Sequence, residues 1–279
     1  MNVNDLTFGI EIETTMPQRS VTVGSHGNGL QVSWLPEGWR ADRDGSIVAS
    51  GRRQACEFVS PVLKGAEGVQ QVIEVVAKIV EKGGEVNSSC GLHVHVGFDR
   101  NNKDGLKRLI TLVACFEKAI FASTGTKSRE QGHWCAGVAR YGNAAAVEAT
   151  ATHARYHVLN LTNLESPYSR KQTVEFRAFG ASLNAVKILG YIRLCVGLVE
   201  KALDTKRVTK WTAKPAAEGN SVCRQGEGQT AIARLFYALG WVKGRTPHTY
   251  GNLQNDTHDL KSSKKELMRL AKKYDTRAV

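Results

Sequence analysis

Phe8-Gly9-Ile10-Glu11-Ile12-Glu13 alternates apolar and acidic side chains with a period of two. Successive side chains of a strand point to opposite faces, so Ile10 and Ile12 face one way and Glu11 and Glu13 the other. That is the pattern of a half-buried strand, not of a helix. It recurs in Leu92-His93-Val94-His95-Val96 and in Val174-Glu175-Phe176-Arg177. If the three strands share a sheet, their apolar faces pack on helices. The opposite face then gathers three glutamates, two histidines and an arginine. Carboxylates crowded in this way repel one another, and bound divalent cations relieve the repulsion. Oxygen-rich ligands suit magnesium or manganese, with a histidine tolerated in the shell. Glu57, in Cys56-Glu57-Phe58-Val59-Ser60-Pro61, adds a fourth carboxylate between apolar neighbours, and Arg177 can neutralise a phosphate beside the metals. Each pair alone has a plain structural reading, as solvent-facing acids, a satisfied histidine pair or a cross-strand ion pair. Their recurrence in three apolar strands points to a site.

Working outward, strands are expected around Trp39–Asp44, Ala55–Val59, Leu92–Val96, Arg155–Leu161 and Thr173–Phe179. Helical stripes lie between them. Val69, Val72, Ile73, Val76, Ile79 and Val80 make one, stopping at Gly83-Gly84. Leu106, Leu109, Ile110, Val113, Phe116 and Ile120 make a second; Leu189, Ile192, Val196 and Val199 make a third, with Asn184 as its N-cap. Long helices do not follow each strand in turn. The expected fold class is therefore α+β, with a mostly antiparallel sheet and helices packed on one face. Residues 122–154 are rich in Gly, Ala, Ser and Thr and show no period, so they are expected to form a long functional loop or lid.

The chain of 279 residues divides by charge. Residues 1–205 hold 23 Lys+Arg against 20 Asp+Glu, whereas residues 206–279 hold 15 against 6, giving most of the net charge of +12. The expected organisation is a catalytic domain over 1–205 and a basic linker and helical extension over 206–279. Residues 206–225, with Lys214-Pro215 and Gly219-Asn220, read as the linker. A helix follows through Ile232, Leu235, Phe236 and Leu239, and a last one opens at Ser263-Lys264-Lys265-Glu266, the pattern of a capping box. A basic appendage favours polyanions, nucleic acid among them, although a solvated basic face is the simpler reading. The six cysteines are scattered and form no CxxC, so neither a disulfide framework nor a zinc ribbon is indicated, and a zinc site at Cys90, His93 and His95 would lack a fourth ligand. No apolar run reaches the roughly 20 residues a bilayer span needs. MNVNDLTFGIEIETT has no basic segment before an apolar block, so a cytoplasmic location is expected, with no membrane partner. Gly125-Thr126-Lys127-Ser128 lacks the second glycine of a P-loop, and no GxSxG elbow is present.

Phe8-Gly9-Ile10-Glu11-Ile12-Glu13, Asp44-Gly45-Ser46, Glu57-Phe58-Val59-Ser60-Pro61, Gly91-Leu92-His93-Val94-His95, Arg155-Tyr156-His157-Val158-Leu159-Asn160-Leu161 and Thr173-Val174-Glu175-Phe176-Arg177 resemble, in order, the motifs of the amidoligase family. That family belongs to the carboxylate-amine ligase superfamily that includes glutamine synthetase. The resemblance implies a curved antiparallel sheet of glutamine synthetase-like type, whose concave polar face binds ATP and two or three divalent ions. It implies Glu11, Glu13, Glu57, His93 and Glu175 as metal ligands, and His95, Arg155 and Arg177 as contacts to ATP phosphates or the transferred phosphoryl group. Asn160 would orient a phosphate or a substrate amide. Asp44, Ser46 and Ser60 would lie near the acceptor substrate, with Arg155, Arg177 and Asp44 as the catalytic set.

The chemistry so implied is ATP-dependent joining of a small-molecule or peptide carboxylate to an amine through an acyl phosphate, with Mg2+ or Mn2+. A phosphotransferase of the guanidino-kinase type on the same sheet remains open at this point. So does a nucleic-acid-binding protein whose sheet has lost activity.

Overall fold

The alternating stretch becomes the central strand of the sheet. The computed structural model describes residues 6–165, 172–206, 211, 230–242, 253 and 258–276. Strands β1 (Thr7–Pro17), β2 (Leu30–Gln31), β3 (Arg40–Asp42), β4 (Arg53–Val59) and β5 (Leu63–Lys64) precede helix α1 (Gly65–Glu81). Strand β6 (Gly91–Gly97) leads to α2 (Lys103–Ala122), α3 (Ser128–Gln131) and α4 (Ala144–Ala151). Then come β7 (Leu159–Asn160), α5 (Thr162–Glu165), β8 (Thr173–Gly180), α6 (Ala185–Asp204), α7 (Ala231–Ala238) and α8 (Leu260–Thr276). The sheet runs β2-β3-β4-β1-β6-β8-β7, with β5 also paired to β1. Every pairing of these strands is antiparallel. The protein is thus a mixed α and β fold built on an antiparallel sheet.

Ile10 and Ile12, Leu92, Val94 and Val96, Phe58, Val174 and Phe176 are all buried on the apolar side. Helix α6 packs on β6 and α2 on β8, and α1 packs on α6. Local chemistry sets the helix ends. The Asn184 side chain accepts from Lys187 N at the start of α6, and Asn102 accepts from Gly105 N at the start of α2. Helix α1 stops at the expected glycines: Gly83 adopts φ +79°, and Gly84 N donates to Ile79 O at 2.8 Å.

Three expectations change. The strand over Arg155–Leu161 shrinks to Leu159–Asn160, because the backbone before it turns and pairs elsewhere: Ala136 N donates to Tyr156 O and Val158 N to Ala136 O, both at 2.9 Å. The aperiodic stretch 122–154 carries regular structure, namely α3, α4 and two 3-10 turns at His133–Cys135 and Ala139–Tyr141. Elements this short are below the length at which a period can be read. They are fastened to the core by the Glu117 carboxylate of α2, which accepts from Val138 N and Ala139 N, and by buried Val138, Val147 and Ala151. Finally, α8 begins at Leu260 rather than Ser263. Asp259 caps it, accepting from Ser262 N at 2.8 Å, while Ser263 is buried and its hydroxyl accepts from Arg193 Nη1 at 2.7 Å.

Helix α7 packs on α2, and α8 packs on both α6 and α2, so their apolar residues join the same core as the sheet helices. Of the expected linker over 206–225, only residues 206 and 211 are described. Among the described residues no cysteine is in a disulfide, and no helix is long and apolar enough to cross a membrane.

Candidate active site

The strand register decides which side chains meet. Glu13 lies opposite Glu57, and Glu57 opposite Asp42. Glu11 lies opposite His93, His95 opposite Glu175, and Glu175 opposite Asn160. Six neighbouring strands, from β3 across to β7, therefore place a polar side chain on one face.

The contacts are short. His93 Nδ1 is 3.0 Å from Glu11 Oε2 and 3.6 Å from Glu175 Oε1, while its Nε2 is 3.6 Å from Glu13 Oε1. His95 Nε2 is 3.1 Å from the other Glu11 oxygen. Arg177 forms an ion pair with Glu175, whose second oxygen accepts from Asn160 Nδ2. Glu13, Glu57, His93, Asn160, Glu175 and Arg177 are all buried.

A β-bulge in the β6–β8 pairing shapes one end of this face. Leu92 pairs with Phe179, yet Val94 pairs with Phe176, so β8 spends an extra residue opposite His93. Arg177 stays with the polar cluster, and its backbone N–H donates to Val158 O at 3.0 Å outside the sheet ladder. Phe179, which strict alternation from Glu175 and Arg177 would put on the polar face, instead stacks on Tyr191 of α6 with ring centroids 4.1 Å apart.

Burial and neighbouring charge act unequally on the carboxyls. Burial raises the Glu57 carboxyl, and Glu11, Glu13, Asp44 and Asp42 add to it, pushing it up to about 9. Burial pushes Glu11 up as well, but the charge and hydrogen bonds of His95 and His93 outweigh it and hold that carboxyl well below its ordinary range. Glu175 is lowered in the same way, burial being outweighed by His95, His93 and Arg177.

Among the described residues, three sets of donor atoms lie close enough to share an ion: Glu11, His95 and Glu175; Glu11, Glu57 and His93; His26, Asp44 and Glu57. Within each set the ligand atoms are within 4.8 Å of one another, and Glu11 and Glu57 each serve two sets. Among the described residues, the buried Asp42 Oδ1 has no hydrogen-bond partner. A carboxyl driven up to about 9 and an orphaned carboxylate oxygen, amid oxygen-rich donors, fit a hard divalent cation.

Three adjoining cavities follow the face. The middle one, about 200 Å³, is lined by Glu11, Glu57, His95, Arg155, Asn160 and Glu175. On one side, a cavity of about 210 Å³ is lined by Glu13, Asp44, Ser46, Arg155 and Arg177, with Trp134 and Tyr156 at its edge. On the other, a more apolar slot of about 140 Å³ lies between Phe8, Ile10, Val59 and Pro61, and also touches Glu11 and His95. Asp44, Ser46, Arg155 and Arg177 are thus brought together. Ser60 is not with them: it lines the apolar slot, and its hydroxyl accepts from Ile10 N at 2.9 Å and donates to Pro61 O at 2.8 Å.

A family model described as "Putative amidoligase enzyme" matches residues 4–199. The chain belongs to the amidoligase family. The match spans the six motifs and stops within α6. No curated protein sequence matches this amidoligase. Among solved structures, a bifunctional glutathione synthetase from Pasteurella multocida superposes with a TM-score of 0.50 at 10% identity. The likeness covers 98% of this chain and 48% of that one, so the amidoligase spans about half the length of that protein and shares its fold over that half.

Several site residues were not expected from the sequence. Asp42 lies in an anticipated strand, and its alternation with buried Ala41 was the available signal. His26 lies in Gly24-Ser25-His26-Gly27-Asn28-Gly29, where three glycines in six residues mark a tight loop. Gly27 adopts φ +77°, and its N–H donates to Asp42 Oδ2 at 2.9 Å, which brings His26 over Glu57 and Asp44. Tyr156 lies inside the Arg155–Leu161 motif, whereas Trp134 carries no sequence signal.

Proposed function

We propose that this chain is a cytoplasmic, ATP-dependent carboxylate–amine ligase that forms an amide or isopeptide bond through an acyl phosphate. One observation carries the proposal: in an amidoligase-family chain, Glu11, Glu13, Glu57, His93 and Glu175 converge with Arg177 on one polar face, and the exposed Arg155 lines the cavities over it. The proposal includes the glutamine synthetase-like form of the sheet that the motifs imply.

A carboxylate is a poor electrophile because its charge is shared by two oxygens. In the proposed reaction one of its oxygens attacks the γ-phosphorus of ATP, the bond to the bridging oxygen breaks, and ADP leaves. The amine nitrogen then attacks the acyl carbon. Phosphate leaves with the carbon–oxygen electron pair, and the amine gives up a proton. Glu11, Glu13, Glu57, His93 and Glu175 would hold Mg2+ or Mn2+, which supplies positive charge beside the phosphates. Arg155 and Arg177 would balance the charge that builds on the transferred phosphoryl group, with His95 and Asn160 fixing its orientation. Asp44 and Ser46, beside Arg155, would face the amine acceptor. The short elements of 122–154, through Trp134, would limit water at that end.

The test is the purified full chain with ATP, Mg2+ and a panel of amino acids and peptides. ADP and phosphate should appear in step with a product lighter than its two parts by one water. AMP with pyrophosphate would overturn the acyl-phosphate route. A phosphorylated acceptor without free phosphate would make the chain a phosphotransferase instead.

A second reading concerns delivery of substrate. Lys261, Lys265, Arg269, Lys272 and Lys273 are exposed along α8, while Leu267, Leu270 and Ala271 are buried beneath them. We propose that this stripe attracts a polyanion such as nucleic acid.

A further inference from the structure

Arg129 takes no part in the reading above, yet it ends at the metal-binding face. Its Nη2 donates to Arg177 O on β8 at 3.0 Å. A side chain at Gly91 would begin 3.0 Å from that same Nη2, 3.2 Å from His93 Nε2 and 3.4 Å from Glu13 Oε1. The three polar atoms therefore crowd one small space that only a glycine leaves open. Among the described residues, the buried Arg129 Nε has no hydrogen-bond partner, so the guanidinium is only partly paired.

Helix α3, which carries Arg129, is a single turn and cannot hold its place by its own hydrogen bonds. Its neighbours hold it. The Glu130 carboxylate accepts from Lys118 Nζ of α2 at 3.0 and 3.2 Å and from the Tyr274 hydroxyl of α8. Lys118 Nζ also donates to the Tyr274 oxygen at 2.7 Å. Just before the turn, Gly125 adopts φ +74° and lies so close to Leu270 of α8 that a Cβ there would be 2.9 Å from Leu270 Cδ2. One side of α3 is thus clamped by α2 and α8 through Glu130, and the preceding residue, Arg129, reaches into the site.

We infer that Arg129 is a positioning residue of the metal centre: it sets a fixed positive charge beside Glu13 and His93, and helix α8 holds it there through the Tyr274–Glu130–Lys118 clamp. The inference rests on the reading of this face as a divalent-cation site. A guanidinium beside two of the proposed ligands would oppose a cation held there, keeping the ion exchangeable and drawing anionic groups to the same end.

The test is Mn2+ binding to the full chain, followed by electron paramagnetic resonance, which needs no turnover. Removal of the charge in Arg129→Gln should tighten Mn2+ by about tenfold, and Arg129→Lys should restore the wild-type affinity. Tyr274→Phe should move the affinity part of the way in the same direction. Unchanged or weaker Mn2+ binding in Arg129→Gln would overturn the inference, because a purely structural role predicts loss or no effect in both substitutions. Arg129→Met is a second neutral variant should the Gln variant melt early. A wild-type chain that binds no Mn2+ would instead remove the cation-site reading on which the inference stands.

Discussion

Glu57 stands in a row of three carboxyls, with Glu13 on one side and Asp42 on the other, each on an adjacent strand. Burial raises this carboxyl most, and the like charges around it, which destabilise an antiparallel pair when directly opposed, add to the effect and push it up to about 9. The sign of the pH dependence follows. The folded value is raised, so the stabilisation is complete below the ordinary carboxylate range and is lost as pH rises towards about 9. Glu11 and Glu175 are lowered, so their contribution is present above the ordinary range and lost as pH falls through their folded values. In EDTA, the melting temperature should fall between about pH 5 and about pH 9, and Glu57→Gln should flatten that fall. Mg2+ should remove it too, since the ion takes the place of the proton. By the same account, Mg2+ binding near neutral pH should release about one proton, read by calorimetry in buffers of different ionisation enthalpy. Uptake of a proton, or none released, would contradict the assignment of Glu57 as a ligand.

At the scale of the element, β8 owes its double role to the bulge. Phe179→Ala should cost about 3–5 kcal/mol in chemical denaturation, as for a fully buried aromatic ring, because the ring fills the gap against Tyr191. A cost below about 1 kcal/mol would mean that the bulge does not place Phe179 in the core. Helix α8 also has two sides. Replacing Lys261, Lys265 and Lys272 by Glu should leave its buried side and the melting temperature unchanged while abolishing salt-sensitive binding to single-stranded RNA or DNA. Retention of that binding would assign it to another surface.

Across the whole molecule, the C-terminal helices close the core instead of trailing from it. Arg193 of α6 is buried; its Nη1 donates to Ser263 Oγ at 2.7 Å and Asp259 O at 3.2 Å, and its Nη2 donates to Leu253 O at 2.8 Å and to His258 O. A single guanidinium therefore pins the segment entering α8 to the middle of the helical layer. Arg193→Met should cost about 3 kcal/mol or more, because the carbonyl acceptors are left unpaired. If the extension were an independent module, the loss would appear as separate melting of residues after 205. If it is part of one core, a single earlier transition is expected by calorimetry.

Much of this site was open to reading in one dimension. Glu11, Glu13, His93, His95, Glu175 and Arg177 each sit in an alternating strand, and alternation fixes a face without any knowledge of the neighbours. The register across strands was not open in that way, since it depends on which strands pair and where. Glu13 meeting Glu57 and Asp42, and the raised Glu57 carboxyl that results, are products of that pairing. His26 and Arg129 lie farther from any periodic signal. One reaches the site through a glycine loop tied to Asp42, the other through a single turn clamped by a helix that lies more than a hundred residues later.

What the sequence by itself determined is the two-faced strands, the helices that cover them, the caps that end those helices and the chemical character of the polar face. The tertiary structure alone decided the order of the strands, the bulge that sends Phe179 inward and the position of Arg129. The division has a physical cause. Period and capping arise from residues three or four positions apart, whereas pairing, packing and long-range hydrogen bonds are settled only when distant segments compete for the same buried space.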